Sequence, residues 1–523
     1  MSSGFRSFFV SMARFFGTGY NGPVKPESKA PQSDLNLVFI LADQLRPDFL
    51  GCYGADFVET PHIDALAARG VRYTSARSTS PICVPARATL LTGLNAIRNG
   101  VTGNSHWLRP DLSDCGVETW PEIIGRAGYR TAAVGKMHFY PWDSHMGFGY
   151  RVSAEDKRWI NVRDDYWRFL RENGYRKYHG SECDGYHENK GAVVSPLPWE
   201  YTVDHFVGSK SCEYIRTYGN NGPFALMVGF PGPHCPYDPA PEFLRDIDPE
   251  RMPPPIPDAG DTQMLRRQNI EGNRGAWNGV DYAEFNDAQK RKVRAHYAAL
   301  VRQIDHEVGR IVEALREEGL LERTAIVFSS DHGDYLGDHG LVGKGHFYES
   351  SIRVPLVVSL PDETAGRTHE GLVELGDVTA TLLSLAGCPV PGYADSIPLP
   401  DLGLDTPGRS TIVGTTSGGW MIHDGRWKLC SYATGETHLF DLDEDPTEQR
   451  NLAGDPAHHD RLLRMYDALV REIMRSVAQS HADKVVDPGN SLWSSEEYGY
   501  EGRVRRYPTK IAGGSTVGRG TWS

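Results

Sequence analysis

Apolar and polar residues follow two different patterns along the first four hundred residues of this chain. Short, almost continuous apolar runs predict buried strands at 35–42, 130–134, 224–230, 324–329 and 354–359. Between them, apolar residues recur at helical spacing, which predicts helices at 63–69, 120–127, 201–218, 287–318 and 371–386. Strands that alternate with helices predict an α/β fold in which a large, mostly parallel sheet is covered by helices on both faces.

The pattern changes after about residue 400. Short strand-like segments at 411–414, 420–422, 427–432 and 438–441 are followed by a helical stretch at 458–477, which predicts a smaller antiparallel sheet with one packing helix. We therefore expect a flexible N-terminal extension (1–34), a catalytic domain (35–400), a C-terminal α+β subdomain (401–480) and a tail (481–523). The aromatic residues of this tail suit an arm onto a neighbouring subunit of a homo-oligomer.

Composition and charge narrow the class of protein. The chain has 523 residues, of which 39% are hydrophobic and 24% are charged, as in ordinary globular enzymes. Its formal net charge of −13 argues against a nucleic-acid partner, although a locally positive cleft could still bind an anion. No apolar run approaches the roughly 20 residues that a membrane span needs. The eight cysteines are scattered without a CxxC pair, which favours a reducing cytoplasm over a disulfide framework.

Polar residues that could take part in catalysis or metal binding follow several of the predicted strands. In parallel sheets, functional side chains gather just beyond the carboxyl ends of the strands. This rule selects one set of positions: Asp43, Lys136, His138, residues 231–234, Asp331 and His332.

The segment Ser-Pro-Ile-Cys-Val-Pro-Ala-Arg, which contains Cys83 and Arg87, carries the sharpest signal. Pro85 favours the first turn of a helix, so Cys83 is expected at the helix N-terminus, where backbone N–H groups and the helix dipole favour an anion. Arg87 lies about one turn further along the same face. The pair could hold an oxyanion, but the spacing alone fits equally well a buried cysteine beside a surface arginine.

The pattern Cys-x-Pro-x-Arg, with the Leu-Thr-Gly that follows it, resembles the maturation signature of the sulfatase family within the alkaline phosphatase superfamily. The resemblance extends from Leu37 to about Leu452 and is locally similar to arylsulfatases and choline sulfatases. It implies that a formylglycine-generating maturase oxidises Cys83 to formylglycine (3-oxoalanine). The aldehyde hydrate has two hydroxyls, of which one attacks sulfur and the other collapses to expel sulfate. The implied activity is that of a sulfuric ester hydrolase acting on a small-molecule sulfate ester.

The resemblance also implies a divalent metal at the ends of two strands. Its ligands would be Asp43, Gln44, Asp331, His332 and the modified Cys83. Gln44 stands where many sulfatases have a second aspartate, and His332 where some have asparagine. Oxygen donors favour Ca²⁺, whereas an imidazole and one fewer carboxylate move the site toward Mn²⁺. The resemblance to the family leads us to expect Ca²⁺, with Mn²⁺ as the alternative. By itself, Asp331 with His332 would also be typical of a polar turn after a strand.

Further segments resemble sulfatase elements that contact the substrate. The Gly-Lys-Met-His segment implies that Lys136 binds sulfate and the hydrate, while His138 acts as base on the second hydroxyl. His234 lies in a His-x-Pro element, which implies that it binds a sulfate oxygen or protonates the leaving alcohol. Lys344 lies in a Gly-Lys-x-x-x-Tyr-Glu element and would clamp the substrate and assist that protonation. Asn104 falls where choline sulfatases and phosphonate hydrolases place a substrate-binding asparagine.

Two other functions compete with sulfate ester hydrolysis. Phosphonate monoester and phosphodiester hydrolases of the same superfamily also use formylglycine, but that subgroup resembles this chain less around Lys136 and His138. A non-catalytic binding protein with a retained fold would need a lost catalytic position, and the motifs show none. For choline recognition an aromatic cage would be needed, and the scattered aromatic residues do not indicate one.

Overall fold

The computed structural model describes residues 33–110, 112–260, 263–361, 363 and 365–483. Its centre is an eight-stranded sheet with the strand order β5-β4-β6-β1-β7-β8-β2-β9, beside a two-stranded pairing of β3 with β10. The strands are β1 (Asn36–Asp43), β2 (Val71–Tyr73), β3 (Ala76–Arg77), β4 (Arg130–Gly135), β5 (Tyr150–Ser153), β6 (Phe224–Pro233), β7 (Thr324–Ser330), β8 (Leu356–Ser359), β9 (Arg367–His369) and β10 (Val373–Glu374).

Helices cover both faces of this sheet. They are α1 (Pro61–Ala68), α2 (Cys83–Thr92), α3 (Ala96–Asn99), α4 (Trp120–Arg126), α5 (Asp165–Glu172), α6 (Val203–Tyr218), α7 (Pro241–Leu244), α8 (Gln263–Arg274), α9 (Asp287–Glu317), α10 (Glu349–Ile352), α11 (Asp377–Leu385) and α12 (His459–Ala482). Side chains of a strand point alternately to opposite faces. Val38 and Ile40 accordingly pack into a core with α6 and α9, whereas Leu37 and Phe39 pack into a second core with α2, α4 and α11.

The predicted α/β architecture is confirmed. Strand β1 is buried along its whole length and pairs in parallel with β6 on one side and β7 on the other. Strands β4 and β5 continue the parallel arrangement, while β8 runs antiparallel to both β7 and β2. The ends of β1, β4, β6 and β7 therefore meet at one edge, as the rule for parallel sheets requires.

One predicted helix is wrong at its beginning. The expected helix at 371–386 is only Asp377–Leu385, because Val373 and Glu374 form β10, which pairs with β3. Asp377 begins the helix and accepts the backbone N–H of Glu374, which ends the extended segment. Two apolar residues in a two-residue strand carry too little periodicity to distinguish them from a first helical turn.

The C-terminal part forms the expected antiparallel sheet and helix. Its strands, in the order β11-β12-β13-β14, are Ile412–Thr416, Gly419–His423, Trp427–Tyr432 and Thr437–Asp441. Helix α12 packs on this sheet through Met465 and Leu469. Residues 1–32 of the expected extension and residues 484–523 of the expected tail lie outside the described residues.

Within the described residues, no helix combines the length and the apolar character that a bilayer crossing requires. All eight cysteines lie in the described part of the chain and are free thiols in this structure.

A buried ionic cluster joins the C-terminal sheet to the rest of the fold. Lys428 on β13 is 0% exposed, and its Nζ lies 2.8 Å from Glu349 Oε1 and 2.6 Å from Glu448 Oε1. Arg77 forms a further ion pair with Glu349 at 2.9 Å. Glu349 begins α10, only five residues after Lys344, so this cluster anchors the loop that carries Lys344.

Lys428→Met should destabilise the protein strongly, because it leaves the Glu448 carboxylate buried without its cation. Breaking one side of a buried ion pair costs about 3–5 kcal/mol, and the loss should appear in the free energy of unfolding measured with urea. Lys210→Met is the matched control, since Lys210 pairs at the surface with Glu213 and such pairs contribute about 0–1 kcal/mol. Equal free energies of unfolding for the two variants would contradict a stabilising role for the buried ionic cluster.

Candidate active site

Helix α2 begins at Cys83, the residue that the sequence places at a helix N-terminus. Ile82 before it has extended backbone, and Pro85 lies in the first turn, where its missing N–H costs nothing. Asn104 Oδ1 accepts the backbone N–H of Val84 at 3.0 Å, so this side chain caps one of the free amides of the helix. Asn104 itself is exposed, whereas Cys83 is buried.

Four potential metal ligands lie around the start of α2. The ligand atoms of Asp43, Cys83, Asp331 and His332 all lie within 4.8 Å of one another, and all four residues are buried. Cys83 Sγ is 3.3 Å from His332 Nε2 and 3.8 Å from Asp43 Oδ1. Asp43 ends β1, while Asp331 and His332 follow β7, so neighbouring parallel strands bring the carboxylates and the imidazole together.

Arg87 and Lys136 neutralise the two carboxylates of this cluster. Arg87 Nη2 lies 2.9 Å from Asp331 Oδ2 and 3.3 Å from Asp43 Oδ2, and Lys136 Nζ lies 2.5 Å from the same Asp43 oxygen. Arg87 Nη1 also donates to the backbone carbonyl of Lys136 at 2.6 Å. Both cations are buried, so their charges are not screened by solvent.

Two glycines allow the chain to turn Lys136 into the site. Gly135 ends β4 with φ of +99°, a left-handed conformation that favours glycine. A Cβ atom on Gly135 would lie 2.1 Å from the carbonyl oxygen of Gly229, and one on Gly229 would lie 2.1 Å from that of Lys136. This close approach of β4 and β6 lets the Lys136 N–H donate to Gly229 O at 2.8 Å, which fixes where the lysine leaves the sheet.

Gln44 connects the buried cluster of potential ligands to the loop that carries Lys344. Its backbone N–H donates to Asp331 Oδ1 at 3.0 Å, and its amide nitrogen donates to Asp334. Its Oε1 accepts from Lys344 Nζ at 2.6 Å. Gln44 adopts φ of 71°, and such strain in a non-glycine residue is typical of functional sites.

Lys344 also lies 2.6 Å from Nε2 of His234. Because a lysine ammonium can only donate, this contact requires a neutral imidazole whose Nε2 accepts, and Nδ1 then donates to the carbonyl of Cys235 at 2.8 Å. Burial, together with the positive charges of Lys344 and Arg158, lowers the pKa of His234 to about 3. His234 is therefore neutral at physiological pH in this arrangement.

His138 also interacts with the thiol of Cys83. Its backbone N–H donates to Glu155 Oε2 at 2.9 Å and holds the residue at φ of 58°. Interaction with this imidazole helps to lower the pKa of the Cys83 thiol, while the Nδ1 of His138 is buried and has no hydrogen-bond partner in the described part of the chain.

The electrostatic field at Cys83 favours an anion. Burial opposes ionisation of the thiol, but the charges of Lys344, Lys136 and His332 hold the pKa of Cys83 well below its ordinary value. The same burial raises the pKa of Asp331, which also faces Asp43. A site with this field suits a negatively charged group bound at the start of α2.

Two carboxylates that support the site were not predicted as functional residues. Asp156 Oδ2 lies 3.4 Å from Lys136 Nζ, and Arg158 clamps it with Nε and Nη2 at 2.8 and 2.5 Å. Asp334 accepts from Gln44 and from the Tyr237 hydroxyl. A run of four charged residues at 155–158 looks like a solvated surface, and the half-buried edge strand β5 before it lacks the apolar run that marks a strand end.

The chain was compared with known proteins. Residues 35–388 match the family model described as Sulfatase. The chain is 31% identical to an arylsulfatase of Clostridium perfringens, over 84% of this chain and 94% of that protein. It is 30% identical to a choline-sulfatase of Rhizobium meliloti, over 84% of this chain and 89% of that protein.

Similarity to a solved structure supports the fold, and the fold alone. The phosphonate monoester hydrolase of Agrobacterium radiobacter superposes with a TM-score of 0.71, at 24% sequence identity, over 85% of this chain and 96% of that one. The family model covers most of the α/β sheet and includes the positions of the buried cluster around Cys83. The chain therefore belongs to the sulfatase family and is a hydrolase that acts on sulfate esters.

Proposed function

We propose that this protein hydrolyses sulfate monoesters of small molecules with Cys83, oxidised to formylglycine by a maturase, as its nucleophilic residue. The single observation that carries this proposal is the position of Cys83: a buried thiol at the start of α2 that shares one cluster with two carboxylates and an imidazole. A hydrated aldehyde at this residue would supply a hydroxyl nucleophile together with its own route for releasing sulfate.

The donor set around Cys83 fits a divalent cation. Asp43 and Asp331 would bring carboxylate oxygens, His332 an imidazole nitrogen, and Gln44 an amide oxygen that Lys344 now occupies. We propose Ca²⁺, with Mn²⁺ as the alternative, because hard oxygen donors predominate. Such an ion, when bound, would favour ionisation of the nucleophilic hydroxyl and withdraw charge from the sulfuryl oxygens.

The cationic side chains would hold the sulfuryl group. Lys136 and Lys344, whose charges both lower the pKa of Cys83, would donate to the sulfuryl oxygens, where negative charge increases in the transition state. Arg87 would keep both carboxylates in position through its three donor contacts. Asn104, whose Oδ1 is engaged by the helix, would present its amide nitrogen to the substrate.

Two histidines would transfer protons during the reaction. His138, next to Cys83 and with Nδ1 unpaired, would take up the proton that must leave the modified residue before sulfate departs. His234 would bind a sulfate oxygen or relay a proton to the leaving alcohol, and Lys344, hydrogen-bonded to its Nε2, is the donor that would resupply it.

Hydrolysis of phosphonate monoesters or phosphodiesters is the alternative within the same superfamily, and the Agrobacterium protein of similar fold is a phosphonate monoester hydrolase. The Lys136-Met137-His138 segment favours sulfate, because it resembles the sulfatase element more than the corresponding element of the phosphonate hydrolases. A non-catalytic binding protein is disfavoured, since each proposed catalytic position carries a residue able to perform its role.

A direct comparison of substrates tests this choice. The full chain, expressed with a maturase and supplied with Ca²⁺ or Mn²⁺, should hydrolyse phenyl sulfate with a kcat/KM at least about tenfold above that for phenyl phenylphosphonate, a difference of about 1.4 kcal/mol in transition-state stabilisation. A preference for the phosphonate would instead establish the alternative activity. If neither ester were hydrolysed, the result would favour a non-catalytic binding protein.

A further inference from the structure

The loop that carries Lys344 is loosely packed at its tip. Lys344 lies between Gly343 and Gly345, whose φ angles are +76° and +114°. A Cβ atom on either glycine would meet no atom of the described residues within 4 Å, so no neighbouring group fixes the backbone at these two positions. The place of Lys344 therefore depends on the contacts that hold the ends of its loop.

One side chain binds both backbone groups of Val342, at the near end of this loop. Asn269 Nδ2 donates to the carbonyl of Val342 at 2.7 Å, and Asn269 Oδ1 accepts the N–H of Val342 at 3.0 Å. An amide side chain donates and accepts at the same time, so this pair of bonds fixes both the position and the orientation of Val342. Asp334 Oδ1 accepts the N–H of Gly343 at 2.9 Å and extends the hold by one residue.

Asn269 belongs to a helix whose inner face is polar. Among the described side chains of α8, at 264–274, the buried ones are Leu265, Asn269 and Asn273, and their spacing of four places them on one face. Asparagine is a weak helix former and is costly to bury unless its amide is hydrogen-bonded. An apolar residue at position 269 would pack the helix better, so the amide is explained by its contact with Val342 and not by the packing of α8.

The position of the loop decides where the ammonium group of Lys344 lies. Its Nζ is 2.6 Å from Gln44 Oε1 and 2.6 Å from His234 Nε2. Contacts this short are lost when the backbone shifts, and a misplacement of about 1 Å can lower a catalytic rate about 100-fold.

We propose that Asn269 is a positioning residue for Lys344. By fixing Val342 two residues earlier in the chain, it keeps the Lys344 ammonium between Gln44 and His234. This inference rests on the proposed function, in which Lys344 binds the sulfuryl group and supplies a proton toward the leaving alcohol.

A double-mutant cycle in the matured, metal-loaded full chain tests this inference. Asn269→Ala should lower kcat/KM for phenyl sulfate about 10- to 30-fold, because Lys344 loses its fixed position. In a chain that already carries Lys344→Ala, the same substitution should lower kcat/KM less than about threefold, since no ammonium remains to be positioned. An equal loss in both backgrounds, or no loss in either, would overturn the inference and leave Asn269 as a structural residue of α8.

Two further variants control for stability. Asn451 makes the same kind of double contact in the C-terminal sheet, where Nδ2 donates to the Thr437 carbonyl at 2.9 Å and Oδ1 accepts the Leu439 N–H at 3.0 Å. Asn451→Ala should lower the unfolding midpoint but keep kcat/KM within about twofold of the parent. Asn269→Leu fills the space and strengthens the helix, yet it should lose as much activity as Asn269→Ala. Parent-like kcat/KM in Asn269→Leu would refute the positioning role.

A labelling measurement separates this inference from the proposed function. Because the Lys344 amine is held by two short contacts, acetic anhydride should acetylate it slowly in the parent chain. Asn269→Ala should raise this rate at least about fivefold relative to the surface residue Lys210, and Asn451→Ala should leave it unchanged. Peptide mass spectrometry reports the ratio even if no sulfate ester is hydrolysed. The same ratio in the parent and in Asn269→Ala would show that Asn269 does not position Lys344.

Discussion

Cys83→Ala should lower kcat/KM for an aryl sulfate at least about 10⁴-fold, because the side chain that becomes the nucleophile is absent. The substituted residue lies at the start of α2, where the helix is capped by Asn104 and by neighbouring packing, so the fold should remain intact. The measurement is steady-state hydrolysis by the matured full chain, together with its unfolding midpoint. Residual activity would come from the remaining metal ligands and cations.

Cys212→Ala serves as the control for loss of a buried thiol. Cys212 packs in the core on α6, away from the cluster, so this variant should lose some stability but retain its turnover. If Cys83→Ala hydrolysed the sulfate at a rate within tenfold of the parent, the proposed nucleophile would be wrong.

Arg87→Ala should lower kcat/KM by roughly 10³-fold and reduce the free energy of unfolding by about 3–5 kcal/mol. Arg87 is 1% exposed and contacts Asp43, Asp331 and the carbonyl of Lys136, so its removal leaves two carboxylates facing each other and releases the lysine. Saturating metal should restore part of the stability, because the proposed divalent cation would bind the same carboxylates. It should not restore the position of Lys136.

Arg409→Ala separates the loss of a buried ion pair from the loss of the catalytic arrangement. Arg409 clamps Asp377 at the start of α11 with Nε at 2.7 Å, away from the thiol cluster. This variant should be destabilised while the folded fraction keeps a nearly normal kcat/KM. If Arg87→Ala behaved in the same way, with activity lost only in proportion to unfolding, Arg87 would be a structural residue and nothing more.

The sequence predicts the central sheet well for a physical reason. Strands β1, β6 and β7 are buried on both faces, so each must be an unbroken apolar run, and that signal survives in a single sequence. The residues that follow these runs, Asp43, His234 and Asp331, are brought to one edge of the sheet by parallel pairing alone.

What the sequence does not predict are contacts made by exposed strands and by loops. Strand β5 is half-buried and has the sequence Tyr-Arg-Val-Ser, so it lacks the apolar run from which a strand can be predicted. The position of Asp156 beyond the end of this strand and next to Lys136 could therefore not be predicted. The contact of Trp142 with Trp159 joins two loops seventeen positions apart, and only tertiary packing brings them together over His138. The roles proposed for the site residues remain predictions that mutagenesis must test.

Mass spectrometry of the proteolytic peptide that contains Cys83 tests the central claim most directly. In protein produced together with a maturase, this peptide should be lighter than the cysteine form by the mass difference between a –CH₂–SH and a –CHO side chain, and it should react with a hydrazide probe. Across preparations, the rate of sulfate hydrolysis should rise in proportion to the fraction of Cys83 that has been converted. Fully active protein in which the peptide carries only an unmodified cysteine would contradict the mechanism.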